Sequence, residues 1–447
     1  MSNGETATPN RDVGDRAIES VAVLGCGTMG AGIAAITAAA GCRVLMLDMT
    51  NEAAEKGAAV VDEQHRHLVE TATFDEGLDR LSDFDWIVEA IVEDLDIKRQ
   101  LFEKVEAIRA DGSIITSNTS GIPLSDISEG LGDRFAADIA ITHFFNPPQI
   151  MRLFELVPGA ETAPEVISTL ADFASQQLSK GVVYAKDTPN FIGNRVGCYF
   201  LLSGLHKAKP FLADGMTQET VDAVLSHPVG LPPTGLYGLI DLIGLDVMDL
   251  VGKNLAANLA EGDPGLDCAV FPGVEQKMLE RGQLGRKSGG GFSRVNRLED
   301  GTKEKEIFDL ISEDWRPASE PDLAGVPGDP GEVMFTETEQ GRLAWEIFGG
   351  VLRYAADLVP EISDDILNID RAMRWGFNWA LGPFELLDAI GTGRFIEKVT
   401  AEGGALPKML QVLADSDSDT FYRADGNEYL GLDGQWHEAP GGARPLG

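Results

Sequence analysis

Val21-Ala22-Val23-Leu24-Gly25-Cys26-Gly27-Thr28-Met29-Gly30 is the stretch on which the fold turns. Four apolar residues of strand character run straight into glycines spaced GxGxxG, and an Ala-rich helical segment, Ala31 to Ala40, follows. Gly41 stops that helix, and a second apolar strand from Arg43 to Leu47 ends on Asp48, 23 residues beyond Gly25. Strand, glycine turn, helix, strand and acid in this order form a dinucleotide site. The glycines allow the tight turn and the approach of a pyrophosphate to the backbone, and the helix N-terminus offers N–H groups and positive dipole. Gly25, Gly27, Thr28, Met29 and Gly30 are therefore expected against the cofactor. Asp48 is expected to accept hydrogen bonds from ribose hydroxyls. The following Met49-Thr50 offers no arginine for a 2′-phosphate, which favours NAD over NADP.

Outward from this stretch, strands read at Trp86 to Val92, Ser113 to Ser117 and Ala137 to Thr142, separated by helical segments such as Asp96 to Ile108. Such alternation predicts an α/β Rossmann domain with a doubly wound, mostly parallel sheet. Ligands of such sheets sit beyond the carboxyl ends of the strands. That directs attention to Glu93, to Ser117-Asn118-Thr119-Ser120 and to His143-Phe144-Phe145-Asn146-Pro147.

The 447 residues carry 72 Asp and Glu against 36 Lys and Arg, a formal charge of −36. Nucleic acid is repelled by such a surface. The acids are scattered, as in proteins working in concentrated salt; a merely acidic mesophilic protein is the plainer alternative. Cys26, Cys42, Cys198 and Cys268 show no CxxC pairing, so reduced thiols and a cytoplasmic setting are expected. Residues 1–19 read as a loose tail without signal-peptide character, and the most apolar stretch, Ala31 to Leu47, is too short and interrupted to span a bilayer.

Val88-Glu89-Ala90-Ile91-Val92-Glu93, Ser117-Asn118-Thr119-Ser120, His143-Phe144-Phe145-Asn146-Pro147 and Asp187-Thr188-Pro189-Asn190-Phe191-Ile192-Gly193-Asn194-Arg195 together give the chain its family likeness. In their order and spacing the sequence resembles the 3-hydroxyacyl-CoA dehydrogenase family, from about residue 20 to the C-terminus. The resemblance implies reversible, NAD-dependent oxidation of a (3S)-3-hydroxyacyl-CoA, in fatty-acid β-oxidation or short-chain 3-hydroxyacyl-CoA metabolism. It implies His143 as the general base and Glu155 as its partner. Ser120 and Asn194 are implied as hydrogen-bonding groups around the 3-oxygen, and Glu93, Lys98, Ser120, Asn146 and Lys287 as residues near NAD. Elementary chemistry agrees with the first two. Removing the hydroxyl proton of a secondary alcohol needs a base matched to neutral pH. A lone carboxylate in the apolar run Met151 to Val157 needs a partner. No metal is expected.

Beyond about residue 190 long amphipathic patterns predict all-α domains, and they repeat. Val221-Asp222-Ala223-Val224 leads to Gly235 through Gly244, and Ile369-Asp370-Arg371-Ala372 leads to Gly382 through Gly391, at an offset close to 147. The same offset sets Gly341-Arg342 against Asn194-Arg195, so the second copy loses the asparagine. The expected layout is a tail (1–19), an NAD-binding domain (20–188), a helical domain (189–297), a linker (298–332) and a second helical copy (333–440). Family members with one such domain dimerise through it, so a monomer folded as a pseudo-dimer, or a homodimer, is expected. The short Asp48 to Trp86 segment lacks the long helical hairpin with which many relatives grip CoA. Asn190 and Gly193 depart from the usual residues, so chain-length preference does not transfer. The chain ends at Gly447 without a hydratase domain, and no hydratase activity is expected. Two other readings stay open: a dehydrogenase of a free 3-hydroxy acid, and a non-catalytic NAD-binding protein.

Overall fold

The structure is a computed structural model describing residues 17–297 and 302–441. Most of the expected N-terminal tail and the first residues of the expected linker lie outside the described residues. The chain forms two compact units, Met1–Asp187 and Thr188–Gly447.

The first unit is built on eight strands: β1 (Ser20–Leu24), β2 (Arg43–Asp48), β3 (Val69–Thr73), β4 (Trp86–Glu89), β5 (Ile114–Ser117), β6 (Ile139–Phe144), β7 (Leu153–Pro158) and β8 (Gly181–Tyr184). They lie in the order β3-β2-β1-β4-β5-β6-β7-β8. β6 and β7 pair antiparallel; every other neighbouring pair in this sheet is parallel. This is the doubly wound sheet expected from the alternation, with the order reversing between β1 and β4, where such sheets hold their ligands. Strands covered on both faces read as continuous apolar runs. Accordingly Val21, Val23, Val44, Met46, Trp86 and Val88 are buried beneath Ile33, Ala34 and Ala38 of helix Thr28–Ala39.

Element boundaries differ from the sequence reading where side chains intervene. β4 stops at Glu89 because that carboxylate turns back to accept the Ile91 N–H at 2.7 Å. The strand expected from Ala137 begins at Ile139, since Asp133–Asp138 is helical. β3 and β8 were not expected. β3 is an edge strand with only Ala72 buried, so it has no apolar run to announce it.

The second unit is helical, as expected, with two small antiparallel sheets added. Helices Gly193–Lys207, Gln218–Val224, Tyr237–Ile243, Leu245–Asn258 and Gly273–Glu280 precede β9 (Ser293–Arg297), β10 (Lys303–Asp309) and β11 (Asp314–Pro317). β10 and β11 correct the linker expected over 298–332. Ile307, Phe308 and Leu310 are buried, and Arg316 clamps Glu219 with two bonds of 2.7 Å. The alternating charges of Lys303-Glu304-Lys305-Glu306 hide the strand, because its polar face looks out.

Two devices occur twice in this unit. Asp222 accepts from the N–H groups of Tyr237 (2.6 Å) and Gly238 (3.2 Å), and Asp370 from those of Phe384 (2.8 Å) and Glu385 (3.1 Å). Asp241 accepts from Phe292 and Ser293 at the start of β9. Asp388 accepts from Phe421 and Tyr422 at the start of a second meander, β12 (Tyr422–Arg423), β13 (Glu428–Leu430) and β14 (Trp436–Glu438). Each carboxylate accepts from backbone donors that water would otherwise have to satisfy.

Candidate active site

The carboxyl ends of β1, β2, β4, β5 and β6 deliver the polar groups of the first unit. After β1 the chain turns at Gly25, whose φ is 97°; a Cβ there would stand 2.6 Å from the Ala90 carbonyl oxygen. At Gly30 a Cβ would stand 1.8 Å from Gly25 O, so helix and turn pack at backbone distance. Gly27 differs, because a Cβ there would meet nothing within 4 Å. It caps helix Thr28–Ala39, whose first turn, with Thr28 and Met29, contains no acid and no side-chain cap. With no acid and no side-chain cap, that turn keeps its N–H groups and positive end for an anion, as pyrophosphate binding requires. Asp48, at the end of β2, accepts the Cys26 N–H (Oδ2, 2.7 Å) and the Met49 N–H (Oδ1, 2.7 Å), which ties the acid to the glycine turn. Burial, with Asp48 nearby, pushes the Cys26 thiol up to about 12, so this cysteine is a packing group. The residues present fit a dinucleotide.

The antiparallel turn of β7 onto β6 sets Glu155 directly across from His143. Cross-strand partners share a face with Cβ atoms about 5 Å apart, within reach of a side-chain bond. His143 Nδ1 lies 2.6 Å from Glu155 Oε2, with His143 only 3% and Glu155 0% exposed. An ionised carboxylate can only accept, so facing one selects the Nδ1–H tautomer of a neutral imidazole, in which Nε2 presents its lone pair. On that side stands Ser120 Oγ at 3.1 Å. The Phe145 ring packs against the imidazole at a centroid distance of 4.8 Å. The three groups form a line from a buried carboxylate, through an oriented imidazole, to a half-exposed hydroxyl. Chemically this can take a proton from an alcohol and stabilise the resulting imidazolium.

A second cluster, buried at Glu89 and Lys98 and open to solvent at Glu93, holds the backbone of Ser120. Glu93 Oε1 accepts from Ser120 N (3.0 Å) and Thr119 Oγ1 (2.5 Å), and its Oε2 is 3.2 Å from Lys98 Nζ. Lys98 is 1% exposed, and its ammonium donates to Glu89 Oε1 at 2.6 Å. Glu89, fully buried, also accepts from Ser117 Oγ at 2.5 Å. Lys98, expected near NAD, is thus an interior cation that reaches the surface through Glu93. Glu89 and Thr119 were not among the expected site residues. Glu89 carries the signal that exposed Glu155, a carboxylate inside an apolar strand.

Asn146 is exposed, three residues past His143. Asn194 and Lys287 belong to the second unit. Asn194 is half-buried in the first turn of helix Gly193–Lys207, and Lys287 pairs with Asp246 at 2.5 Å. Among the described residues no group of three or more His, Cys, Asp or Glu could hold a metal ion, and no helix is long and apolar enough to cross a membrane.

Residues 20–188 match the family model described as "3-hydroxyacyl-CoA dehydrogenase, NAD binding domain", and residues 191–295 match its "C-terminal domain". A Bacillus subtilis protein named "Probable 3-hydroxyacyl-CoA dehydrogenase" is 35% identical over 91% of this chain and 55% of its own length. The 3-hydroxybutyryl-CoA dehydrogenase of Mycobacterium tuberculosis is 32% identical over 62% of this chain and 98% of its own. The crystal structure of 3-hydroxybutyryl-CoA dehydrogenase from Escherichia coli shares the fold with a TM-score of 0.68 at 23% identity, covering 89% of this chain and 98% of that one. The chain spans about half the length of the longer curated relatives it matches. By these matches and its NAD-binding unit, the chain belongs to the 3-hydroxyacyl-CoA dehydrogenase family.

Proposed function

We propose that the protein catalyses the reversible NAD-dependent oxidation of a 3-hydroxyacyl-CoA to the 3-oxoacyl-CoA, in fatty-acid β-oxidation or short-chain 3-hydroxyacyl-CoA metabolism. The observation that carries the reading is the line from Glu155 through His143 to Ser120 beyond the strand ends of a dinucleotide-binding sheet. NAD, when bound, supplies the acceptor for the hydride leaving C3. Gly25, Gly27, Thr28, Met29, Gly30 and Asp48 would hold it, with Glu93, Lys98, Ser120, Asn146 and Lys287 near it. His143 Nε2 takes the 3-hydroxyl proton. Glu155 keeps the imidazole in the tautomer that can accept it and balances the imidazolium that follows. Ser120 and Asn194 hydrogen-bond the 3-oxygen and fix its direction. A loss of ångström-scale alignment there costs on the order of 100-fold in rate.

The paired aspartate devices, Asp222 with Asp241 and Asp370 with Asp388, support an internal duplication. On this reading 189–297 and about 333–440 are two copies of one helical domain, the second without the asparagine. A chain carrying both copies would be a monomer built as a pseudo-dimer. Reduced, buried cysteines and the acidic surface support a cytoplasmic, salt-adapted protein.

The test is NADH absorbance with acetoacetyl-CoA and free acetoacetate offered separately. Consumption with the CoA thioester alone is the expected result. Turnover only of the free acid would move the substrate class, and NADH binding without turnover of either would point to a longer acyl chain or a non-catalytic protein.

A further inference from the structure

Helix Gly193–Lys207 begins without a side-chain cap: Ile192 stands at its N-cap. The two residues before Ile192, Asn190 and Phe191, both have positive φ, 62° and 52°. A bulky residue in that region is strained and persists only where its surroundings over-determine it. Arg195 supplies that determination. Its backbone N–H donates to Asn190 O at 3.2 Å, and its Nη1 to Pro189 O at 3.5 Å.

The guanidinium is 1% exposed, and its other partners come from far along the chain. Nε donates to Tyr354 Oη at 2.5 Å, and Nη2 to Glu361 Oε1 at 2.9 Å and to Asp263. Tyr354 Oη in turn donates to Asp263 Oδ1 at 3.0 Å, and its ring stacks on Tyr199 with centroids 4.0 Å apart. Further along, a Cβ on Gly197 would stand 2.2 Å from the Phe377 ring, and Lys207 Nζ donates to Glu346 O at 3.0 Å. From first turn to last, the helix is gripped by residues of the 346–377 segment. That segment belongs to the copy in which Gly341-Arg342 has replaced Asn194-Arg195.

We propose that Tyr354 and Glu361 are positioning residues for the dehydrogenase reaction: through Arg195 they fix the first turn that carries Asn194. The second helical copy, with Gly341 at the position of Asn194, thereby sets the geometry of the first. A planar fork held by a phenol and two carboxylates has one orientation. A buried guanidinium that loses partners must find others by moving. The proposal rests on the reading of Asn194 as a group that hydrogen-bonds the 3-oxygen.

The experiment is a double-mutant cycle on the full chain, with steady-state turnover of acetoacetyl-CoA and NADH and with NADH affinity measured by fluorescence titration. Tyr354→Phe with Glu361→Gln is expected to lower kcat by about 10-fold or more, within the range that misalignment produces, while NADH affinity stays unchanged. In an Asn194→Ala background the same pair is expected to change kcat by less than about 2-fold, because the group it positions is gone. A purely structural role would lower kcat equally in both backgrounds, and that result overturns the proposal, as does an unchanged kcat in the parent background. Should the pair fail to fold, Glu361→Gln alone, at a side chain 43% exposed, runs through the same cycle. A parent protein that binds NADH but turns over neither acetoacetyl-CoA nor a longer-chain 3-oxoacyl-CoA overturns the dehydrogenase reading itself, whereas an active parent indifferent to both residues overturns only the inference.

Discussion

Replacing Lys98 by Met should destabilise the first unit selectively, because it strands a carboxylate with no exposure to water. Glu89 is 0% exposed and Lys98 1%, with Nζ and Oε1 2.6 Å apart. Without the ammonium, Glu89 retains the Ser117 hydroxyl and the Ile91 N–H but no cation. Breaking a buried pair from one side costs about 3–5 kcal/mol. The half-exposed Glu93 contact adds at most about 1 kcal/mol. At about 2–4 °C per kcal/mol for a unit of this size, the melting temperature should fall by roughly 6–24 °C. Thiol alkylation read peptide by peptide during heating gives a unit-specific assay. Cys26 and Cys42 are buried in the first unit, Cys198 and Cys268 in the second, and burial raises all four thiols above their ordinary range. Labelling of Cys26 and Cys42 should move to lower temperature, and adding Glu89→Gln to Lys98→Met should recover more than half of the shift. A shift under about 2 °C would show that the pair is not the buried ionic link described, since it corresponds to about 1 kcal/mol or less.

Asp48→Ala should weaken NADH binding by about 10- to 100-fold, the equivalent of one charge-assisted hydrogen bond lost, and do so without altering the His143–Glu155 pair. Calorimetric titration checks it, and unchanged affinity would remove Asp48 from the cofactor site. Stability should fall as pH rises from 5 to 8. Burial lifts the folded-state values of Asp222 and Asp388 to about 7 and that of Asp370 well above the carboxylate range. The folded chain then keeps protons that the unfolded chain releases near 3.8, so the stabilisation present below that value is lost progressively up to about 7. Glu219, partly buried yet held down to about 2 by Arg316 and Ser319, contributes a constant amount over this window. Melting at pH 6 and pH 8 in one salt concentration checks the sign, and Asp388→Asn should flatten the dependence.

How legible this was in the sequence depended on whether a residue's reason for being there was local. Gly25 and Gly30 were legible because each meets a backbone atom that no side chain could share. Glu155 was legible because a carboxylate in an apolar run demands a partner. Glu89 makes the same demand, but its partner Lys98 lies on the following helix, in a sequence that reads as an exposed amphipathic face. β3 escaped because an edge strand needs little apolar surface, and β10 because its charged residues alternate with only a short apolar end, Ile307-Phe308. The Arg195 clamp was illegible. Tyr354 and Glu361 stand more than 150 residues away, and no local pattern announces a tertiary ion pair.

The central claim is that Glu155 orients His143 for proton abstraction while the glycine turn and Asp48 hold the cofactor separately. Single-turnover oxidation of NADH by acetoacetyl-CoA in Glu155→Gln, alongside NADH titration of the same variant, tests it most directly. A glutamine amide that donates to Nδ1 selects the wrong imidazole tautomer, so the rate should fall by up to about 10,000-fold, as when the orienting acid of a hydrolase triad is made an amide. NADH affinity should stay within about 2-fold, since Glu155 is none of the residues that would hold the cofactor and the substitution keeps its size. A Glu155→Gln rate within tenfold of the parent, or a loss of NADH binding as large as the loss of rate, would contradict the account.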